Sequence, residues 1–195
     1  TGASRARCLW GSGRLRGRPG QCPAGSTRAC AVIRLHKRER STHQLRVGYC
    51  QFIARYPWQC FATLTFDRKH YALRFACDPE QADKAFRLLV RHLNERLYGP
   101  RWMSKSPSKG AVWVRVQEAH QDGYLHFHAL LHTPGRELGL HLVRDLAMWW
   151  EPRFGGARVE IPHSQEAVMQ YLVKHLGNPE VADLEFSNNF GKTFP

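Results

Sequence analysis

Residues 111–132, "AVWVRVQEAHQDGYLHFHALLH", are two alternating runs joined by a turn, and no other stretch restricts the fold as strongly. Asp122-Gly123 marks a tight reversal, so the runs predict an antiparallel hairpin. Successive strand side chains point to opposite faces. Leu125, Phe127, Ala129 and Leu131 therefore share one face, and Tyr124, His126, His128, Leu130 and His132 share the other. The first face has to be core. The second carries imidazoles, whose ring nitrogens are costly to bury without partners. Such a hairpin needs an apolar layer beneath it and polar partners above it.

The flanking sequence supplies that layer. "WQCFATLTF" reads as a strand of β-branched and aromatic residues. In "DPEQADKAFRLLVRHLNERLYG", Asp78 is placed to cap a helix, Pro79 to begin it and Gly99 to stop it. Its apolar stripe is Ala85, Leu88, Leu89, His92, Leu93 and Leu97. A Ser/Lys/Pro loop, "MSKSPSKG", leads into the hairpin. After it, "RELGLHLVRDLAMWW" predicts a helix and "ARVEIP" a strand. "SQEAVMQYLVKHLG" predicts a last helix, capped by Ser164 and ended by Gly177. Trp149 and Trp150 read as packing residues. The order β-α-β-β-α-β-α predicts an α+β fold of two layers with a mostly antiparallel sheet. No internal repeat is present.

Charge is uneven along the 195 residues. The net charge is +13, and residues 1–40 hold ten Lys or Arg against the single acid Glu39. We expect a flexible Arg/Gly-rich arm over residues 1–45 and a folded domain over 46–195. A polyanion is the natural partner of such a chain, because Lys and Arg displace phosphate counterions. No apolar run approaches the ~20 residues of a membrane helix, and no apolar secretion signal opens the chain, so a cytoplasmic location is expected. The six cysteines, at 8, 22, 30, 50, 60 and 77, include no C-x-x-C pair and are expected to be reduced thiols. A zinc site of Cys8, Cys22 and Cys30 stays open as a weaker reading.

Two histidines at i and i+2 on one strand face can grip a single cation. Alone, an H-x-H strand is more often a hydrogen-bonded surface pair. The turn decides whether a carboxylate joins it. A three-residue loop, Gln121-Asp122-Gly123, sets Glu118 opposite His126, giving a donor set suited to Mn²⁺ or Mg²⁺. That register puts Arg115 and Gln117 on the Phe127 face, which is uncomfortable. A two-residue Asp-Gly loop instead brings Gln117 opposite His128 and turns Glu118 to the core. The first is preferred because it spares a carboxylate from burial, and the second stays open. On the last helix Tyr171, Lys174 and His175, at i, i+3 and i+4, cluster on one stripe. On the helix alone, that is a rim tyrosine beside a solvated cation.

Taken together, these segments resemble the HUH (histidine-hydrophobic-histidine) endonucleases, and most closely the rolling-circle replication initiators of plasmids and small phages. "FATLTF" is similar to their Thr-rich first motif. "HFHALL", with Glu118 upstream, resembles the second motif and "YLVKH" the third. "FSNNFGK" is similar to a segment that follows the tyrosine helix in some phage and plasmid initiators. The resemblance spans about residues 58–192 and leaves the Arg-rich arm outside. It implies a ferredoxin-like or RRM-like endonuclease fold, with His126, His128 and Glu118 holding Mn²⁺ or Mg²⁺. Tyr171 becomes the nucleophile that leaves a 5′-phosphotyrosine, Lys174 its helper, and His175 an accessory group. The implied partners are single-stranded DNA or an origin hairpin, and a host helicase, in a bacterial host carrying a plasmid or phage. Thr63, Thr65, Trp102, Lys105 and Lys109 are the expected DNA contacts. Two departures stand out: His175 follows Lys174 where some members carry an acid, and the helix has one tyrosine rather than two.

Two other readings compete. An HUH-type transposase shares the histidine pair and the helical tyrosine, and differs in acting on both ends of an element. A non-catalytic RRM-like module predicts aromatics, not histidines, on the exposed sheet face.

Overall fold

The computed structural model describes residues 42–67, 78–106, 108–119, 124–174 and 182–192, all within the unit Glu39–Pro195. The helices are α1 (42–53), α2 (Pro79–Tyr98), α3 (Trp102–Lys105), α4 (Leu140–Trp150) and α5 (Gln165–Val173). The strands are β1 (Cys60–Thr65), β2 (Val112–Ala119), β3 (Leu125–His132), β4 (Ala157–Glu160) and β5 (Ala182–Phe186). One sheet runs in the order β4-β1-β3-β2-β5, with every neighbouring pair antiparallel. The first four strands have the order of a ferredoxin-like split βαβ. The fold is the two-layer α+β class expected from the sequence. Among the described residues no helix is long and apolar enough to cross a membrane.

The helical layer is α2 and α4. Asp78 caps α2, its Oδ1 accepting from the N–H groups of Glu80 at 2.9 Å and Gln81 at 3.4 Å, and Gly99 ends the helix at φ +79°. Ala85, Phe86, Leu89 and Leu93 face inward against Phe127, Ala129 and Leu131 of β3, together with Leu142, Leu146 and Trp150 of α4. Phe86, Phe127 and Trp150 have no accessible surface, so truncating any of them costs about 3–5 kcal/mol. The stripe is rotated from the one expected: Leu88 is exposed, and Phe86 and Val90 are buried in its place. His92 pairs with Asp145 of α4 at 2.8 Å and stacks on Trp149, joining the two helices.

The other sheet face is roofed in part by α1 and α5. Ile53, Phe61, Val114, Val116, Leu130, Met169 and Leu172 form a second apolar cluster there, with Tyr49 and Cys50 of α1 packed on it. β3 is therefore buried along its whole length rather than on one face alone. Helix α1 crosses the position expected to divide arm from domain. Strand β5 was not expected; it lies on the outer edge of β2.

The hairpin takes the three-residue register, with Glu118 opposite His126 and Val116 opposite His128; residues 120–123 of the turn lie outside the described residues. Arg115 does lie on the apolar face. Its buried guanidinium meets Asp83 of α2 and Glu185 of β5, and it rests over the Phe86 and Phe127 rings, each 4.7 Å to centroid. Two carboxylates and two ring faces replace water around this cation, which is what makes the register tolerable. Cys50 and Cys60 are free thiols, and burial pushes Cys60 up to about 12. The other four cysteines, and with them the zinc reading, lie outside the described residues.

Candidate metal centre and tyrosine

Sheet register builds the site. Across one row of the face beneath α5 run Thr63, His128 and Val116; across the next run Thr65, His126 and Glu118. His126, His128 and Glu118 thus converge from two neighbouring strands. His126 Nε2 lies 3.2 Å and His128 Nε2 3.9 Å from Glu118 Oε2. One donor atom from each residue lies within 4.8 Å of the others, and all three residues are buried. Glu118 is therefore not spared burial. It is buried toward two imidazoles instead of toward the apolar core.

These donors could hold a divalent cation. The two separations above are short enough for the three residues to share one ion. Two nitrogens and one carboxylate form a mixed donor set that divalent cations accept, and three protein ligands leave room for further ones. Thr63 meets one of these donor residues: its hydroxyl is 3.1 Å from Nδ1 of His128. When Nδ1–H donates to that hydroxyl, Nε2 carries the lone pair and faces Glu118.

The tyrosine arrives from α5. Ser164 caps this helix, its Oγ accepting from the Ala167 N–H at 3.2 Å. Gln165 pins the same end to the chain entering β1. Its Oε1 accepts from the Trp58 N–H at 3.1 Å, and its Nε2 donates to the Trp58 carbonyl at 2.6 Å. Met169, Leu172 and Val173 bury the underside, leaving Tyr171 on the flank with its ring partly in solvent. The Tyr171 hydroxyl lies 3.4 Å from His128 Nε2, and its ring meets that imidazole edge to face at 4.8 Å. Phe61 completes the cage. It stacks on His128 at 6.0 Å and touches Tyr171 edge-on at 5.8 Å. Lys174 sets its ammonium over the Tyr171 ring, 3.5 Å from the centroid.

Six of the residues singled out in the sequence therefore stand together: Glu118, His126, His128, Tyr171, Thr63 and Lys174. Thr65 is on the same face, and its hydroxyl donates to the Gly156 carbonyl at 3.1 Å. Trp102, Lys105 and Lys109 stand apart, near the opposite end of β2. His175 lies outside the described residues. His132 shares the histidine face but is committed elsewhere: its Nδ1–H donates to the Pro57 carbonyl at 3.0 Å, and burial lowers its pKa below the usual histidine value. Phe61 and Gln165 were not singled out as site residues. Phe61 was signalled by its place two residues before Thr63; Gln165, a polar residue in a helix's first turn, gave no sign.

Comparison with known proteins places the chain in a family. No curated protein and no solved structure matches the chain. A family model does, over residues 59–179, which is well over half of the chain and takes in β1, the hairpin and the tyrosine helix. On that match the chain belongs to the replication-associated protein ORF2/G2P family.

Proposed function

We propose that this protein is an HUH endonuclease that initiates rolling-circle replication by nicking and rejoining single-stranded DNA, with Tyr171 as its one nucleophile. The observation that carries this reading is the 3.4 Å approach of the Tyr171 hydroxyl to His128 Nε2, beside the Glu118–His126–His128 donor group. Family membership supports replication initiation as the setting.

Held by Glu118, His126 and His128, Mn²⁺ or Mg²⁺ would polarise the scissile phosphate and offset the charge that develops on it. The Tyr171 oxygen attacks phosphorus, and the bond from phosphorus to the 3′ oxygen breaks. The phenolic proton is lost to solvent, and the leaving 3′ oxygen takes one up. The products are a 5′-phosphotyrosine and a free 3′-hydroxyl that can prime synthesis. One phosphoester replaces another, so the reverse attack reseals the strand. A phenol of pKa about 10 is a poor nucleophile near neutrality. The Lys174 ammonium over the ring stands where it can offset the negative charge of the phosphate. Phe61 and Thr63 keep the His128 ring from turning, and Gln165 keeps α5 seated, so nucleophile and donors stay in register.

The substrate in this reading is single-stranded DNA or an origin hairpin, with residues 1–45 supplying a basic arm for the backbone and a host helicase opening the duplex. The setting is the cytoplasm of a bacterium that carries the plasmid or phage. The test is incubation with single-stranded oligonucleotides and Mn²⁺, read on a denaturing gel. Tyr171→Phe should abolish the covalent adduct while DNA binding persists, and His126→Ala should abolish it at ordinary Mn²⁺ concentrations. An undiminished adduct in Tyr171→Phe would remove Tyr171 from its role.

A further inference from the structure

A pocket of about 490 Å³ opens between α2, residues 108–111 and the segment that follows β5. Its volume suits one nucleotide-sized ligand. It borders Trp113, which faces α2, and lies at the far end of β2 from Glu118. From Ala111 to Glu118 the chain runs about 23 Å at about 3.3 Å per residue. The pocket is thus distinct from the Tyr171 centre in both face and position.

Three features of the pocket converge on one ligand chemistry. The first is charge. Four of the fourteen lining residues are Lys or Arg and none is Asp or Glu, which selects an anion. Arg87 is engaged by Asp83 and Glu185, and Arg91 by Glu95. The cationic surplus is therefore Lys109 and Lys192, which form no ion pair among the described residues. The second feature is the wall: Trp102 offers a half-buried indole on the same cavity. An aromatic face beside cations is how unpaired bases are held without regard to sequence.

The third feature is how firmly the rim is built. The buried Asn94 accepts through Oδ1 from the Ala111 N–H at 2.7 Å, and the buried Ser106 Oγ accepts from the Gly110 N–H at 2.9 Å. Asn189, from the "FSNNFGK" segment, donates through Nδ2 to the carbonyls of Ser108 at 3.0 Å and Gly110 at 3.3 Å. At Gly110, with φ +110°, a Cβ would stand 2.7 Å from Asn94 Nδ2 and 2.9 Å from the Trp102 ring. Lys109 is the only non-glycine residue with positive φ among the described residues, at 58°. A left-handed lysine is costly where a glycine would be easy, and the hydrogen-bonded loop that imposes it sets that cation in the pocket lining.

We propose that this pocket is a second single-stranded nucleic-acid site, taking one unpaired nucleotide with its base against Trp102 and its phosphate between Lys109 and Lys192. It grips the strand away from the cleavage centre, and it rests on the nicking reading only for the identity of that strand as substrate DNA.

The test is fluorescence anisotropy of a fluorescein-labelled oligothymidine with the full chain in EDTA, so that no cleavage intrudes. Trp102→Ala should weaken binding about five- to hundredfold, and Trp102→Phe should recover most of the loss. The pair Lys109→Asn and Lys192→Gln should lower the slope of log affinity against log salt by about 1.4. Asparagine tolerates the left-handed backbone, so this second variant keeps the loop even if Trp102→Ala does not fold. Wild-type affinity and salt slope in both variants would overturn the proposal, and so would loss of binding to an acidic peptide but not to oligothymidine. If oligothymidine binding depends on Trp102 while wild-type protein forms no adduct with Mn²⁺, the pocket stands and the nicking reading falls. If the adduct forms and Trp102→Ala binds like wild type, the pocket alone falls.

Discussion

Thr63→Val removes the hydrogen bond that would orient His128 toward a metal ion. The hydroxyl stands 3.1 Å from His128 Nδ1, directly across the β1–β3 ladder, and valine keeps the shape of threonine without it. His128 is 4% exposed, so water has little access to replace the lost contact. A typical intramolecular hydrogen bond contributes about 1 kcal/mol net, and withdrawing a partner from a buried polar atom costs about 1–3 kcal/mol. We expect a stability loss of about 1–2 kcal/mol. Metal binding should suffer more, because removing the outer partner of a ligating histidine typically costs about 10–100-fold in affinity. Calorimetric titration with Mn²⁺ reads the affinity, and the urea midpoint reads the stability. Thr63→Ser, which keeps the hydroxyl, should restore most of both. If Thr63→Val binds Mn²⁺ as tightly as the wild type, Thr63 does not hold the ring and the orientation argument fails.

Three further outcomes follow from contacts around the sheet. Gln165→Ala removes both hydrogen bonds to the Trp58 backbone and should cost about 2 kcal/mol, slowing adduct formation while Mn²⁺ affinity stays unchanged; a normal rate would show that α5 seats without this clasp. Arg115→Met leaves Asp83 and Glu185 facing apolar rings, and because both carboxylates reach water the loss should be about 2–3 kcal/mol rather than the full cost of a stranded buried charge; an unchanged melting temperature would mean the network contributes nothing. Burial lowers the pKa of His132, so the unfolded chain binds the extra proton first as pH falls. The stability this gives is complete above the ordinary histidine value near 6.5, and it is lost as pH drops toward the lowered folded value. Comparing the pH dependence of stability in His132→Phe and wild type isolates this contribution, and identical slopes would contradict it.

The elements legible in the sequence are those whose signals are local. Asp78, Pro79 and Gly99 bracket α2 with caps and a stop, and the Leu125–Leu131 alternation declares which face of β3 is core. What escaped depends on distant partners. β5, "ADLEF", looks too acidic for a strand, yet Glu185 is there because Arg115, 70 residues earlier, needs a carboxylate. The same network explains the hairpin register: an arginine on the apolar face looked uncomfortable, and Asp83 and Glu185 reach it. Leu88 looked like core because a helical stripe read from spacing has an uncertain edge. α1 follows directly on an arginine-rich run and was not recognised, although Ile53 at its end is fully buried. The clustering of the candidate site was largely readable, since an i, i+2 histidine pair on a strand and a helical tyrosine are visible in one dimension. Its supports, Phe61 and Gln165, act through contacts only the fold creates.

The most direct test of the central claim is mass spectrometry of the peptide holding Tyr171 after incubation with single-stranded origin DNA and Mn²⁺. The account predicts a nucleotide joined to Tyr171 through its 5′ phosphate, absent when Glu118 is replaced by Ala. A nicked strand with Tyr171 unmodified, or a nucleotide on any other residue, would contradict it.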